Sequence, residues 1–212
     1  MTAIDKPLAG EIQSTRQRVG KFEREVNATT IPLIAFGAAL NVVIGQAVQL
    51  IKLPIYLDSV GTVLIGCIVG PIAGMLTGAI ANLTLGFFFN YAFIFFIPVA
   101  LVIGAFSGMV ARLGVFKRWY TAVASGILQG VISAIASAPI AAFMFGGVTM
   151  GGTDFLVLYF RAVGKSIMQS TLMQGLAADP VDKAISYFLV YLLLTRIPRT
   201  ILRRLPGFAN SR

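Results

Sequence analysis

Leu57-Asp58-Ser59-Val60-Gly61-Thr62 interrupts two long apolar runs, and its reading decides how the chain folds. Hydrophobic residues make up 57% of the 212, mean hydropathy is +0.86, and there is no histidine. A soluble domain of this length has too little interior to hide so much apolar surface. The runs on either side of the stretch therefore read as membrane-spanning helices. Asp58 and Ser59 then mark a point where one helix leaves the bilayer and the next turns back into it. A solute-binding membrane protein would place its entrance at such a junction.

A span needs about 20 apolar residues, so the length allows roughly five to seven spans in one compact membrane domain. Lys and Arg number 17 against 8 acids. The basic residues sit mostly at segment ends, a positive-inside pattern rather than a nucleic-acid surface. The single cysteine, Cys67, lies in an apolar run and reads as a small buried hydrophobe with no disulfide partner. Residues 1–28 are polar and charged, without a visible cleavable signal, and read as a cytoplasmic tail. Gly164-Lys165-Ser166 imitates the end of a phosphate-binding loop, but Tyr159 stands where that motif needs glycine. Lacking histidine, the chain also lacks the usual metal and nucleophile sets. No cofactor, metal or catalytic residue is expected.

Outward from the opening stretch, a first span is expected over 29–51. Gly70-Pro71 splits the next run into a short helix over 59–69 and a third over 72–88, because proline breaks a helix interior. A fourth follows over 91–111, then a basic loop from Arg112 to Trp119, then a fifth over 120–145. Gly146-Gly147 and Gly151-Gly152 open a long loop as hinges. Within it, Asp154 to Ala177 is too polar for lipid and reads as an amphipathic helix over one face. Asp179-Pro180-Val181-Asp182 reads as the start of the last span, with Asp179 as N-cap and Pro180 at the first helical position. The tail over 198–212 is basic and acid-free. Placing it and the 112–119 loop on the cytoplasmic side requires six spans with both termini inside. The expected fold is thus all-α, six transmembrane helices in one bundle over 29–197.

Small residues recur four apart: Ala35 and Ala39, then Gly66, Gly70, Gly74 and Gly78, then Gly104 and Gly108. Such spacing lets helix backbones approach closely. Internal packing is the favoured reading for the glycines. For Ala35 and Ala39, internal packing and a docking face for another membrane subunit both stand. Asp58 has two readings also, a helix cap or a group near the substrate. Uncharged polar groups in apolar segments, Gln46, Gln49, Asn82 and Asn90, either bond between helices or line a pocket. The run Phe87-Phe88-Phe89-Asn90-Tyr91, with Phe93, Phe95 and Phe96, could supply a ring to stack on a planar ligand.

Together these features resemble the substrate-binding S component of an energy-coupling factor (ECF) transporter, over about residues 29–205. The residues that carry the resemblance are Ala35 and Ala39, the segment from Leu53 to Thr62, Gly70-Pro71 with Gly74 and Asn82, and Asp182-Lys183-Ala184-Ile185. The resemblance implies a six-helix protein in the bacterial cytoplasmic membrane that binds a micronutrient at its outer face. It implies two kinds of partner, a transmembrane coupling subunit docked on Ala35 and Ala39, and two cytoplasmic ATPases. It also implies a substrate site shaped by the first, third and fifth loops. On that basis the expected substrate contacts are Gln49, Asp58, Asn82, Asn90, Tyr91 and Arg161. A planar vitamin, nucleobase or nucleoside ranks first as substrate. The alternatives are a ligand sensor or scaffold, which would normally carry a cytoplasmic output domain, and a lipid-modifying enzyme, which would need clustered acids or histidines.

Overall fold

The computed structural model describes residues 20, 23, 25–51, 53–149, 151–198 and 200. Most of the expected N-terminal tail and nearly all of the basic C-terminal tail lie outside them. Among the described residues the chain is all-helical, with no strand. Its α-helices are α1 (Ile31–Leu50), α2 (Val60–Ile68), α3 (Pro71–Phe88), the single turn α4 (Ala92–Phe95), α5 (Ile97–Arg112), α6 (Trp119–Phe145), α7 (Asp154–Ala162) and α8 (Ile167–Arg196). A 3-10 turn, Val115–Lys117, joins α5 to α6.

The split at Gly70-Pro71 is a full reversal. Gly70 has φ +148°, a backbone that other residues rarely adopt, and Pro71 opens α3 where its missing N–H costs nothing. Past the turn α3 runs back along α2: a Cβ on Gly74 would lie 2.8 Å from Gly66 Cα, and one on Gly78 would lie 3.1 Å from Thr62 Oγ1. The same glycines take α5 on another side, with Gly74 against Gly104 and Pro71 against Gly108. The four-residue spacing of glycines is thus used for internal packing.

Antiparallel neighbours recur along the chain. Gly37 of α1 meets Gly61 of α2, and Gly45 meets Asp58 just before α2 begins. Gly126, Gly130 and Gly175 let α6 and α8 pack closely in opposite directions, next to Ala184, Pro180 and Ala134. Helices α1, α2, α3, α5, α6 and α8 therefore alternate in direction. One end of the bundle collects the 51–59, 89–96 and 146–166 connections. The opposite end collects the start of α1, the Gly70 reversal, the basic 112–118 segment and the end of α8. At that basic end the buried Glu25 carboxylate accepts from Ile72 N–H at 2.7 Å and pairs with Arg112 at 2.8 Å.

Three helices, α1, α3 and α6, are long and apolar enough to cross a membrane. Helix α5 is apolar but has 16 residues. Helix α2 has nine, about 14 Å at 1.5 Å per residue, against a hydrocarbon core of about 30 Å.

Three expectations need correction. The fourth helix is not continuous over 91–111: Pro98 has no N–H to bond back across Phe96, so the chain makes one turn and restarts at Ile97. The last helix does not start at Asp179. It starts at Ile167, where Ser166 and Gln169 form a reciprocal capping box, the Ser166 hydroxyl accepting from Gln169 N–H at 3.2 Å and Gln169 accepting from Ser166 N–H at 3.1 Å. Pro180 lies inside α8, which continues through it because α6 packs against both halves. The expected amphipathic helix over 154–177 is accordingly shorter, ending at Ala162, and packs against α8.

Candidate functional site

The buried acid Asp182 organises the loop end of the bundle. One of its oxygens accepts from the N–H groups of Tyr56 and Leu57, at 2.9 and 2.7 Å, and the other from Lys183 Nζ at 2.6 Å. Two successive amides converging on one oxygen require a tight bend, and Leu57 supplies it in the left-handed region at φ +48°. Lys183 donates also to Ser59 Oγ at 2.8 Å and pairs with Asp58 at 3.6 Å. The Leu53–Thr62 segment and Asp182-Lys183, more than 120 residues apart, thus meet in one ionic cluster. Burial pushes the Asp58 carboxyl above its ordinary value, and Lys183 beside it pulls it back.

A second set of bonds closes the loops over this cluster. The Tyr56 hydroxyl meets Thr153 Oγ1, and Gln174 Nε2 donates to both, at 3.0 and 2.9 Å. Burial, with Asp179 nearby, holds the Tyr56 phenol above its ordinary value, so it stays protonated. Asn90 Nδ2 donates to Thr149 O at 2.9 Å, and its Oδ1 accepts from Ala92 N–H at 3.0 Å. The Asp154 carboxylate accepts from the N–H groups of Thr149 and Gly151, both at 3.1 Å. Of the four glycines expected as hinges, Gly146 and Gly147 adopt positive φ, at +60° and +92°; Gly151 and Gly152 instead line the space beneath.

Beneath these loops is a cavity of about 150 Å³. Its walls come from the first loop (Ile55, Tyr56, Asp58, Ser59), the third (Asn90, Phe93, Phe96), the fifth (Gly147, Thr149, Gly151, Gly152), and the adjacent turns of α1, α3, α5, α6 and α8. A space this size takes one six-membered ring with small substituents. Most polar groups in the wall are already bonded to protein. Two have neither a hydrogen bond nor an ion pair among the described residues: the Asn82 amide and the Asp179 carboxylate, only 8% and 7% exposed.

Of the residues expected to contact substrate, Gln49, Asp58, Asn82 and Asn90 line this cavity. Two do not. Tyr91 is 63% exposed, its ring 5.9 Å from that of Phe145, and the aromatic wall comes from Phe93 and Phe96 instead. Arg161 points away on the exposed side of α7. Asp58 is not a helix cap either. Ser59 holds the N-cap position of α2, makes no capping bond, and turns its hydroxyl to Lys183. The reading by sequence missed Tyr56, Gln174 and Asp179 as cavity groups, and Thr153 as their bonding partner. The acids around Pro180 were visible, but they imitated a helix start.

Ala35 and Ala39 are exposed on α1, on a face shared with Phe36 and Val43, while Ile34, Gly37, Ala38, Asn41 and Gly45 turn inward. No family model, curated protein or solved structure matches this chain, so its function has to be read from its own residues and geometry.

Proposed function

We propose that this chain is the substrate-binding subunit of an ECF-type importer, taking up a small micronutrient and performing no catalysis of its own. The observation that carries this reading is the cavity at the loop end, walled by the first, third and fifth connections together. Its size favours a one-ring vitamin or nucleobase over a nucleoside. Six alternating helices would cross the bacterial cytoplasmic membrane, with α2 reaching partway and α8 burying its charged middle against α6. Exposed rings support a lipid setting: Phe88 and Phe143 are 78% and 80% exposed, and Trp119 and Tyr120 sit beside the basic end, where interfacial aromatics belong. By the positive-inside rule that basic end faces the cytoplasm and the cavity faces out.

A transmembrane coupling subunit would dock on Ala35 and Ala39, and two cytoplasmic ATPases would drive transport through it. Small side chains on an outward face permit close approach of a partner helix. Ala35→Leu with Ala39→Leu should abolish uptake and co-purification of the coupling subunit, while leaving thermal stability and ligand binding unchanged. Assembly and uptake that survive both changes would refute the docking role. Mass spectrometry of small molecules released from the purified protein would identify the substrate.

A further inference from the structure

We propose that the cavity takes a one-ring molecule bearing a positive charge, with its cationic group set against Asp179. This rests on the cavity being a ligand site, as above, and specifies the chemistry of its occupant. Two carboxylates of the cavity wall, Asp58 and Asp179, and the fully buried Asp182 behind them share a single ammonium nearby, Lys183. That ammonium donates to Asp182 and Ser59 and pairs with Asp58 at 3.6 Å. Asp182 is also bonded to two backbone amides. Asp179 is left over: it is 7% exposed, lines the cavity, and has no hydrogen bond or ion pair among the described residues.

A buried carboxylate without a partner is costly in an apolar bundle. An amine, amidine or protonated ring nitrogen entering the cavity would supply the missing donor and the missing charge together. The rest of the wall suits such a molecule. Phe93 and Phe96 offer ring faces, which attract cations as well as planar rings. The unpartnered Asn82 amide offers one further donor and acceptor for orientation. An anionic ligand would meet the opposite: excess negative charge, and an ammonium already paired with Asp182 and Asp58.

The test uses the purified full chain in neutral detergent and three one-ring probes of similar size: benzylammonium, its isostere benzyl alcohol, and benzoate. Binding is read by calorimetry and by thermal shift. Benzylammonium should bind at millimolar concentrations and at least about tenfold more tightly than either of the others. Asp179→Asn, which keeps the shape, should erase that preference without lowering the unfolding temperature, since the carboxylate makes no hydrogen bond or ion pair among the described residues. Arg118→Ala, at the opposite end, should keep it. Equal binding of benzyl alcohol or benzoate, a preference that survives Asp179→Asn, or no binding of benzylammonium would each overturn the proposal. The transport reading fails separately, through absent uptake or an absent coupling subunit, because the charge preference is measured on the isolated chain.

Discussion

Two asparagines of one residue type serve different ends here. Asn90 spends both polar atoms on the backbone of Thr149 and Ala92, tying the third loop to the fifth. Among the described residues Asn82 has neither atom bonded, and it faces the cavity. The expectation that both hold substrate directly therefore divides. Asn82→Ala should weaken binding of the co-purified ligand about tenfold, the worth of one buried hydrogen bond, and leave the unfolding temperature unchanged. Asn90→Ala should lower that temperature, since two bonds worth about 1 kcal/mol each are lost, and should weaken binding only through the loosened loop. Calorimetry and thermal unfolding on the two variants check this. The reverse pattern would exchange their roles. Both asparagines were legible as costly polar groups in apolar surroundings, but their partners were not, because Thr149 is 59 residues from Asn90.

At the level of elements, the α2–α3–α5 packing depends on backbones touching. A Cβ on Gly74 would already lie 2.8 Å from Gly66 Cα and 2.9 Å from Gly104 O, and neither backbone atom can rotate away. Gly74→Leu should therefore cost more than the usual 1–3 kcal/mol of overpacking and yield a protein that aggregates on extraction. Gly151→Ala is the control. Its Cβ would meet nothing nearer than 3.5 Å, so that variant should remain monodisperse by size exclusion. A monodisperse Gly74→Leu protein of native stability would mean that the three helices pack less tightly. The four-residue glycine spacing was readable directly. The start of α8 was misread because Asp179-Pro180 carries the local signs of a helix beginning, while the capping box that begins the helix lies thirteen residues earlier, at Ser166.

For the whole molecule, alternating helix directions put the basic 112–118 segment and the end of α8 at one end and the cavity at the other. Insertion with the basic end inside makes a labelling pattern certain to distinguish the two orientations. Cys67 is buried and should stay silent to a membrane-impermeant maleimide. In intact cells Val148→Cys, in the exposed fifth loop, should label, and Lys117→Cys should label only after lysis. Labelling of Lys117→Cys from outside would invert the molecule and place the cavity in the cytoplasm.

Hydropathy, helix breakers and the positions of basic residues are local properties. From them the sequence alone determined the helical class, the break at Gly70-Pro71, the start of the fifth-loop helix at Asp154 though not its end, and the separation of a basic end from a polar one. Which groups would be spent on structure and which left facing the cavity was decided only in the tertiary structure. Asp182 finds Tyr56 and Leu57, and Gln174 finds Tyr56 and Thr153, across distances along the chain that no local pattern encodes. A carboxylate in an apolar segment announces that it needs a partner. Only packing reveals that Asp182 has found its partners inside the protein and that, among the described residues, Asp179 has none.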